Sequence, residues 1–230
     1  AQARFNRSIL HLLNGNFREG WRDYDARLKI AERHPAPDHG LPRWDGASLT
    51  RKRLLVTAEQ GIGDQIMFAS LIPGLLERAK AQGGSIVVEC EPRLVPLFGR
   101  SFPDATVHTS RVEMRGAELR ARYAWLKAAG GANAFIEMGS LARYLRRTLA
   151  DFPAPNIFLR ADADEAARWR AALPGETPHI GICWRSGKTG GSRTVQYAPL
   201  EAWAAFIREL PGVLVCVQYD ARADEIAALE

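Results

Sequence analysis

Asp64 stands just after the glycine pair Gly61 and Gly63, in the run LLVTAEQGIGDQIMFASLIPGLL at 54–76, where an apolar strand passes into an apolar helix. Glycines at such a junction let the backbone approach a ligand closely, and the N–H groups of a helix start favour an anion. A carboxylate there opposes one: two like charges about 4 Å apart repel by roughly 1 kcal/mol in water and about four times that near a protein surface. A neutral hydroxyl ligand removes the conflict, because Asp64 can then take its proton as a general base. Asp is also a common helix cap, so base and cap are both open readings. Glu59 and Gln60 flank the loop and are placed to orient Asp64 or an acceptor hydroxyl.

A second loop has the opposite charge. WRSGKTGGSRT at 184–194 follows the apolar run HIGIC and carries Arg185, Lys188 and Arg193 on a Gly/Ser-rich backbone. Mobile N–H donors with three cations suit a diphosphate; an exposed loop without a ligand is the alternative. Two phosphate motifs fit poorly. A dinucleotide fingerprint would use Gly61, Gly63 and the acidic Glu89, but Ile66 stands where the third glycine belongs. A P-loop would need four residues between Gly181 and Gly187, where there are five, including Trp184. Trp44 either lines a cleft or anchors a linker, and Trp184 either stacks on a ligand or packs between sheet and loop. His108 and His179 have no partner visible in the sequence and read as structural.

The elements that must hold these loops can be read from periodicity. Residues 3–13 and 17–32 have apolar residues at helical spacing, separated by the turn NGN. Two such helices cannot bury their faces alone and must pack on something else. HPAPDHGLPRWDGASL at 34–49 reads as a linker. Strand 53–59, helix 64–82, strand 85–91, short helix 92–101 and strand 105–110 form crossover units with a parallel sheet. Residues 118–129 and 139–150 read as helices around GANAFIEM, a possible strand, and a helix runs from about Asp164 to Leu173. The pattern then restarts: strand 179–187, helix 200–210, strand 213–220 and a final helix. The expected organisation is a helical hairpin and linker over 1–40, a Rossmann-like domain over 41–160, a connection over 161–178 and the start of a second Rossmann-like domain over 179–230. The fold class is α/β.

The 230 residues are 47% hydrophobic, enough for a buried core, and 31 basic against 26 acidic residues give a mild +5 spread along the chain. That balance argues against a nucleic-acid partner. The basic run RVEMRGAELRARY at 111–123 reads as a solvated helical face or an anion-attracting patch. Cys90, Cys183 and Cys216 lack ligand or disulfide spacing and read as core thiols, so no metal is expected. With no signal peptide or membrane-length apolar run, a soluble cytoplasmic protein is expected. The chain begins at Ala1 and stops at Glu230 within a helical pattern, so both ends read as cut.

The segments LPRWDG (41–46), AEQGIGDQIMFASLIPGL (58–75), MGSLARYL (138–145), FPAPNIFLRAD (152–162), GICWRSG (181–187) and SRTVQYAPLEAW (192–203) resemble the tetratricopeptide-associated glycosyltransferases related to heptosyltransferases. LLNGNFREGWRDYDARL at 12–28 also resembles one tetratricopeptide unit. The resemblance implies a GT-B-type fold and transfer of a sugar, with inversion, from a nucleotide-sugar to an acceptor hydroxyl of a protein or glycan. It makes Asp64 the base, places Glu59, Gln60, Gly61 and Gly63 in the acceptor loop, and has Arg185, Lys188 and Arg193 neutralise the leaving diphosphate across an interdomain cleft. No cofactor is implied, the nucleotide-sugar being a substrate. The alternative is a non-catalytic protein-binding or scaffold module of tetratricopeptide type.

Overall fold

The computed structural model describes the chain except residues 31–35, 38, 60, 111, 116–117, 154–156, 174, 176–177, 188–194, 196 and 230, with backbone alone for 36–37, 112–115 and 118–120. It divides into two units, Ala1–Ala161 and Asp162–Glu230.

In the first unit the apolar periodicity yields α1 (Gln2–Leu13) and α2 (Phe17–Tyr24), joined through Gly15 at φ 75°. Buried Asp23 clamps this hairpin by accepting hydrogen bonds from Arg4 at 2.9 Å and Arg7 at 2.6 Å. The spacing predicts one helix to residue 32, but α2 gives way to a 3-10 turn over Asp25–Lys29. That turn is held by ion pairs that Asp25 and Arg27 make with distant residues, a constraint the local pattern does not contain.

The short strand β1 (Ala36–Pro37) precedes a segment that is only partly a linker. Trp44 and Leu49 are buried, the Trp44 N–H donates to the Phe135 carbonyl at 2.7 Å, and the Phe135 N–H donates to the Pro42 carbonyl at 3.0 Å. Trp44 is thus an anchor, its ring against Tyr144 at 5.1 Å. Residues 34, 35 and 38 of the expected linker lie outside the described residues.

The apolar runs form β2 (Arg53–Thr57), β3 (Ser85–Cys90) and β4 (Thr106–Thr109). Between the first two, the expected single helix is two, α3 (Ile62–Ala69) and α4 (Ile72–Ala81), because Pro73 belongs in a first turn, where its missing N–H costs nothing. After β3 comes α5 (Val95–Ser101).

Residues 111–123 correct the helical reading most clearly. β5 (Val112–Arg115) and β6 (Glu118–Ala121) pair antiparallel, with Arg115 opposite Glu118 across a two-residue connection. The alternation Val112, Met114, Leu119, Ala121 and the Gly-Ala dipeptide between the strands were the signals for a hairpin, and they outweigh the arginine spacing. α6 covers only Ala124–Ala128, GANAFIEM supplies β7 (Ala134–Glu137), and the helix expected over 139–150 is reduced to α7 (Ala142–Leu145) with 3-10 turns on either side.

The main sheet has the order β4-β3-β2-β7, every pair parallel, while β1, β6 and β5 form a small second sheet. Strand alternation divides the core: Leu54, Val56, Ile86, Val88 and Ile136 join a large cluster with Phe68, Ile72 and Leu75, and Leu55 and Val87 join Ala121, Tyr123 and Leu126. Both faces are covered, as a parallel sheet requires.

The second unit comprises α8 (Ala163–Ala172), β8 (His179–Ile182), α9 (Leu200–Arg208), β9 (Val213–Cys216) and α10 (Ala223–Leu229). Strands β8 and β9 pair in parallel, and Ile182, Trp184 and Ile207 form the core. The expectation of three core thiols holds for Cys90, whose thiol burial pushes up to about 12; Cys183 and Cys216 are exposed. Among the described residues no helix is long and apolar enough to cross a membrane.

Candidate functional site

The strand order of the main sheet reverses direction between β2 and β7. In open parallel sheets the chain leaves two such strands in opposite senses and opens a crevice beyond their carboxyl ends, where ligands commonly bind. Here the two segments at that point are 58–61, leading into α3, and 138–140, leading into α7.

Asp64 lies in the first turn of α3 and is partly exposed. Its Oδ2 accepts the Gly61 N–H at 3.2 Å, so the capping role is filled. The other oxygen has no hydrogen-bond partner among the described residues and is free to receive a ligand proton. Gly61 has an ordinary extended backbone, at φ −84°, and a β-carbon placed on Gly63 would meet nothing within 4 Å. Among the described residues, then, nothing requires glycine at either position or fills the space over Gly63. Gln60 lies outside the described residues.

Glu59 behaves differently from its neighbours in the loop. Its expected orientation toward an acceptor is corrected: the side chain turns inward, 3% exposed, onto the fully buried guanidinium of Arg27. Arg27 donates to Glu59 at 2.6 and 3.2 Å, to the Ser140 hydroxyl at 2.9 Å and to the Tyr24 carbonyl at 3.2 Å. The Gly139 N–H reaches the same carboxylate at 2.7 Å, an approach only glycine permits, since a β-carbon would sit 2.3 Å from Glu59 Oε1. Burial pushes the Glu59 carboxyl up, while Arg27 and the Gly139 N–H pull it back. Asp25 extends the network to Ser140, Arg143 and Arg43 at 2.7, 2.8 and 3.2 Å, and Arg43 also donates to Glu137 at 2.8 Å. Burial opposes ionisation of Asp25, but the Ser140 hydroxyl and the two arginines prevail and hold its carboxyl below the usual range. The helical hairpin is thereby tied to both loops of the crevice.

Glu89, the acidic residue of the dinucleotide reading, is not presented to a ribose. It is 1% exposed, and its Oε2 accepts the Ala58 N–H and the Tyr123 hydroxyl, each at 3.0 Å. Its Oε1 has no partner among the described residues, and burial pushes the carboxyl up to about 7. Nearby, His108 stacks on Trp125 with 3.7 Å between ring centroids.

A cavity of about 580 Å³ opens along the α3–α4 junction, lined mainly by apolar groups such as Trp21, Met67, Leu71 and Phe158; Asp64 is not among its walls.

In the second unit Arg185 also departs from expectation. Rather than standing free for a diphosphate, it donates to both Glu225 oxygens at 2.7 and 2.8 Å, to the Asp220 carboxylate at 2.9 Å and to the Asp220 carbonyl at 2.9 Å. Arg185 pulls the Glu225 carboxyl down to about 2, and its own pKa is raised by the two carboxylates. Trp184 is core packing, 6% exposed, and His179 lies at the exposed start of β8. Lys188 and Arg193 lie outside the described residues. The sequence signals for Arg27, Ser140 and Gly139 are slight, because their partners lie as far as 115 residues away.

The chain is 34% identical over 232 aligned residues to the protein FlbA of Caulobacter vibrioides. The alignment takes in 99% of this chain and 38% of that protein, so the chain spans well under half of its relative's length. No protein-family model and no solved structure matches the chain.

Proposed function

We propose that the chain is part of an inverting glycosyltransferase of GT-B type, with Asp64 as the base that removes a proton from an acceptor hydroxyl of a protein or glycan. The observation that carries this reading is the position of Asp64: beyond the carboxyl end of a central parallel strand, beside the strand-order reversal, with, among the described residues, one carboxylate oxygen uncommitted and open space over Gly63. The acceptor approaches along Gly61 and Gly63. The nucleotide-sugar is held by the loop at 184–194, where Lys188 and Arg193 carry the charge assigned to the leaving diphosphate. Arg185 serves that loop by fixing its start against Asp220 and Glu225. Proton removal and leaving-group neutralisation are the two contributions such a transfer needs, and a general base typically supplies 10²–10⁴-fold.

A second reading, a non-catalytic protein-binding or scaffold module, is favoured by one observation: Glu59 and Arg185 are both spent on internal ion pairs. Sugar transfer from nucleotide-sugar donors, measured for the intact protein and its Asp64→Asn variant, separates the two. Asn keeps an oxygen for the Gly61 N–H, so the fold should persist while turnover falls about a hundredfold or more. Activity kept within about threefold removes Asp64 as base, and absence of transfer by the unaltered protein favours the scaffold.

A further inference from the structure

A polar cavity of about 530 Å³ lies in the first unit, away from Asp64, and its walls carry five arginines, Arg18, Arg22, Arg78, Arg143 and Arg147, against one carboxylate, Asp45. The arginines come from four places in the chain. Arg18 and Arg22 are one turn apart on α2, Arg78 is on α4, Arg143 is on α7 and Arg147 follows it. Two are pinned by the fold. Arg143 donates to Asp25 at 2.8 Å, and Arg78 donates to the Gly46 carbonyl at 2.5 Å with its guanidinium 5.1 Å from the Trp44 ring centre. Gly46 makes that possible: it sits at φ 90°, and a β-carbon there would be 2.4 Å from the Tyr144 ring. The side chains of Arg18, Arg22 and Arg147 have no carboxylate partner among the described residues. Asp45 is partly occupied by its own turn, accepting the Ala47 N–H at 2.9 Å.

Like charges gathered in one concavity repel unless something neutralises them, and like charges at this helical spacing disfavour the helix itself. Guanidinium forks match phosphate oxygens two at a time, which makes arginine the residue best suited to them. Three guanidiniums without a carboxylate partner among the described residues line 530 Å³, and two linked phosphates offer them more acceptor oxygens and more negative charge than one orthophosphate does. We propose that this cavity between the helical hairpin and the sheet unit binds a small molecule carrying at least two phosphate groups. The proposal goes beyond the transferase reading and does not rest on it, since neither Asp64 nor the 184–194 loop contributes.

Titration calorimetry of the intact protein with inorganic pyrophosphate tests it, in parallel with orthophosphate and poly-glutamate at matched ionic strength. Pyrophosphate should bind more tightly than orthophosphate, with an affinity that falls as KCl is raised, and Arg22→Ser with Arg147→Ser should weaken it about tenfold or more. Both residues are exposed, so the unliganded melting temperature should hold. Arg18→Ser, measured separately, keeps the test available should the pair disturb folding. Pyrophosphate binding unchanged in these variants overturns the proposal, because the ligand then sits elsewhere. Binding of poly-glutamate without pyrophosphate also overturns it, in favour of a docking surface for acidic protein.

Discussion

Glu89→Gln should make the protein gain stability relative to the parent as pH rises. The Glu89 carboxyl titrates at about 7 in the folded chain against 4.5 ordinarily, because burial disfavours its charged form. The folded state therefore holds the proton to higher pH than the unfolded state does. The stability this contributes is complete below about pH 4.5 and is lost as pH rises through about 7. At 1.36 kcal/mol per pH unit the loss amounts to about 3 kcal/mol. Glutamine cannot ionise, and its amide oxygen can accept both the Ala58 N–H and the Tyr123 hydroxyl, which already share one oxygen. Its NH2 group then occupies the place of the oxygen without a partner, at a pH-independent cost of about 1–3 kcal/mol. The absolute ranking at one pH is thus not the diagnostic. The difference between variant and parent should shift by about 3 kcal/mol in favour of the variant between pH 4.5 and pH 8, read from urea unfolding of both proteins across that range. Parallel stability curves, with the difference constant to about 0.5 kcal/mol, would refute the reasoning.

The crevice ion pair makes a different prediction. Arg27→Met strands a buried carboxylate and should cost about 3–5 kcal/mol, while adding Glu59→Leu should recover most of that loss; urea unfolding of the two variants would show an equal loss in both if packing rather than charge were responsible. Gly46→Ala should destabilise by about 1–3 kcal/mol, since it demands an unfavourable positive φ and collides with the Tyr144 ring, and a thermal melt indistinguishable from the parent would contradict the geometry.

The parts of this fold legible in the sequence were those whose cause is local. The buried runs at 53–57 and 85–90 and the capped helix from 163 could be read because each is dictated by neighbours a few residues away. The hairpin at 112–121 was equally local but was obscured by its arginines, which share a spacing with helical faces. What could not be read was which charges are spent. Arg27 has the sequence surroundings of an exposed helical arginine, yet its partners are 32 and 113 residues away. Arg185, one of three cations in a flexible-looking loop, meets carboxylates 35 and 40 residues later. A count of charges along the chain gives no account of their pairing in space, so the inward-turned Glu59 and the arginine-lined cavity are properties of the folded chain alone. Asp64 was legible because its position, a helix start after a strand, is itself a local property.

The buried Arg27 also bears on how the protein is made. The ribosome delivers Glu59 thirty-two residues after Arg27, but Ser140 only 113 residues after it. At roughly 5–20 residues per second, Arg27 waits about 6–23 s for Ser140. During that interval Trp21, Tyr24 and Phe68, which pack together in the finished unit, have no complete sheet to shelter them. Newly emerging copies stalled before residue 140 should therefore be the species that chaperones capture and proteases cut.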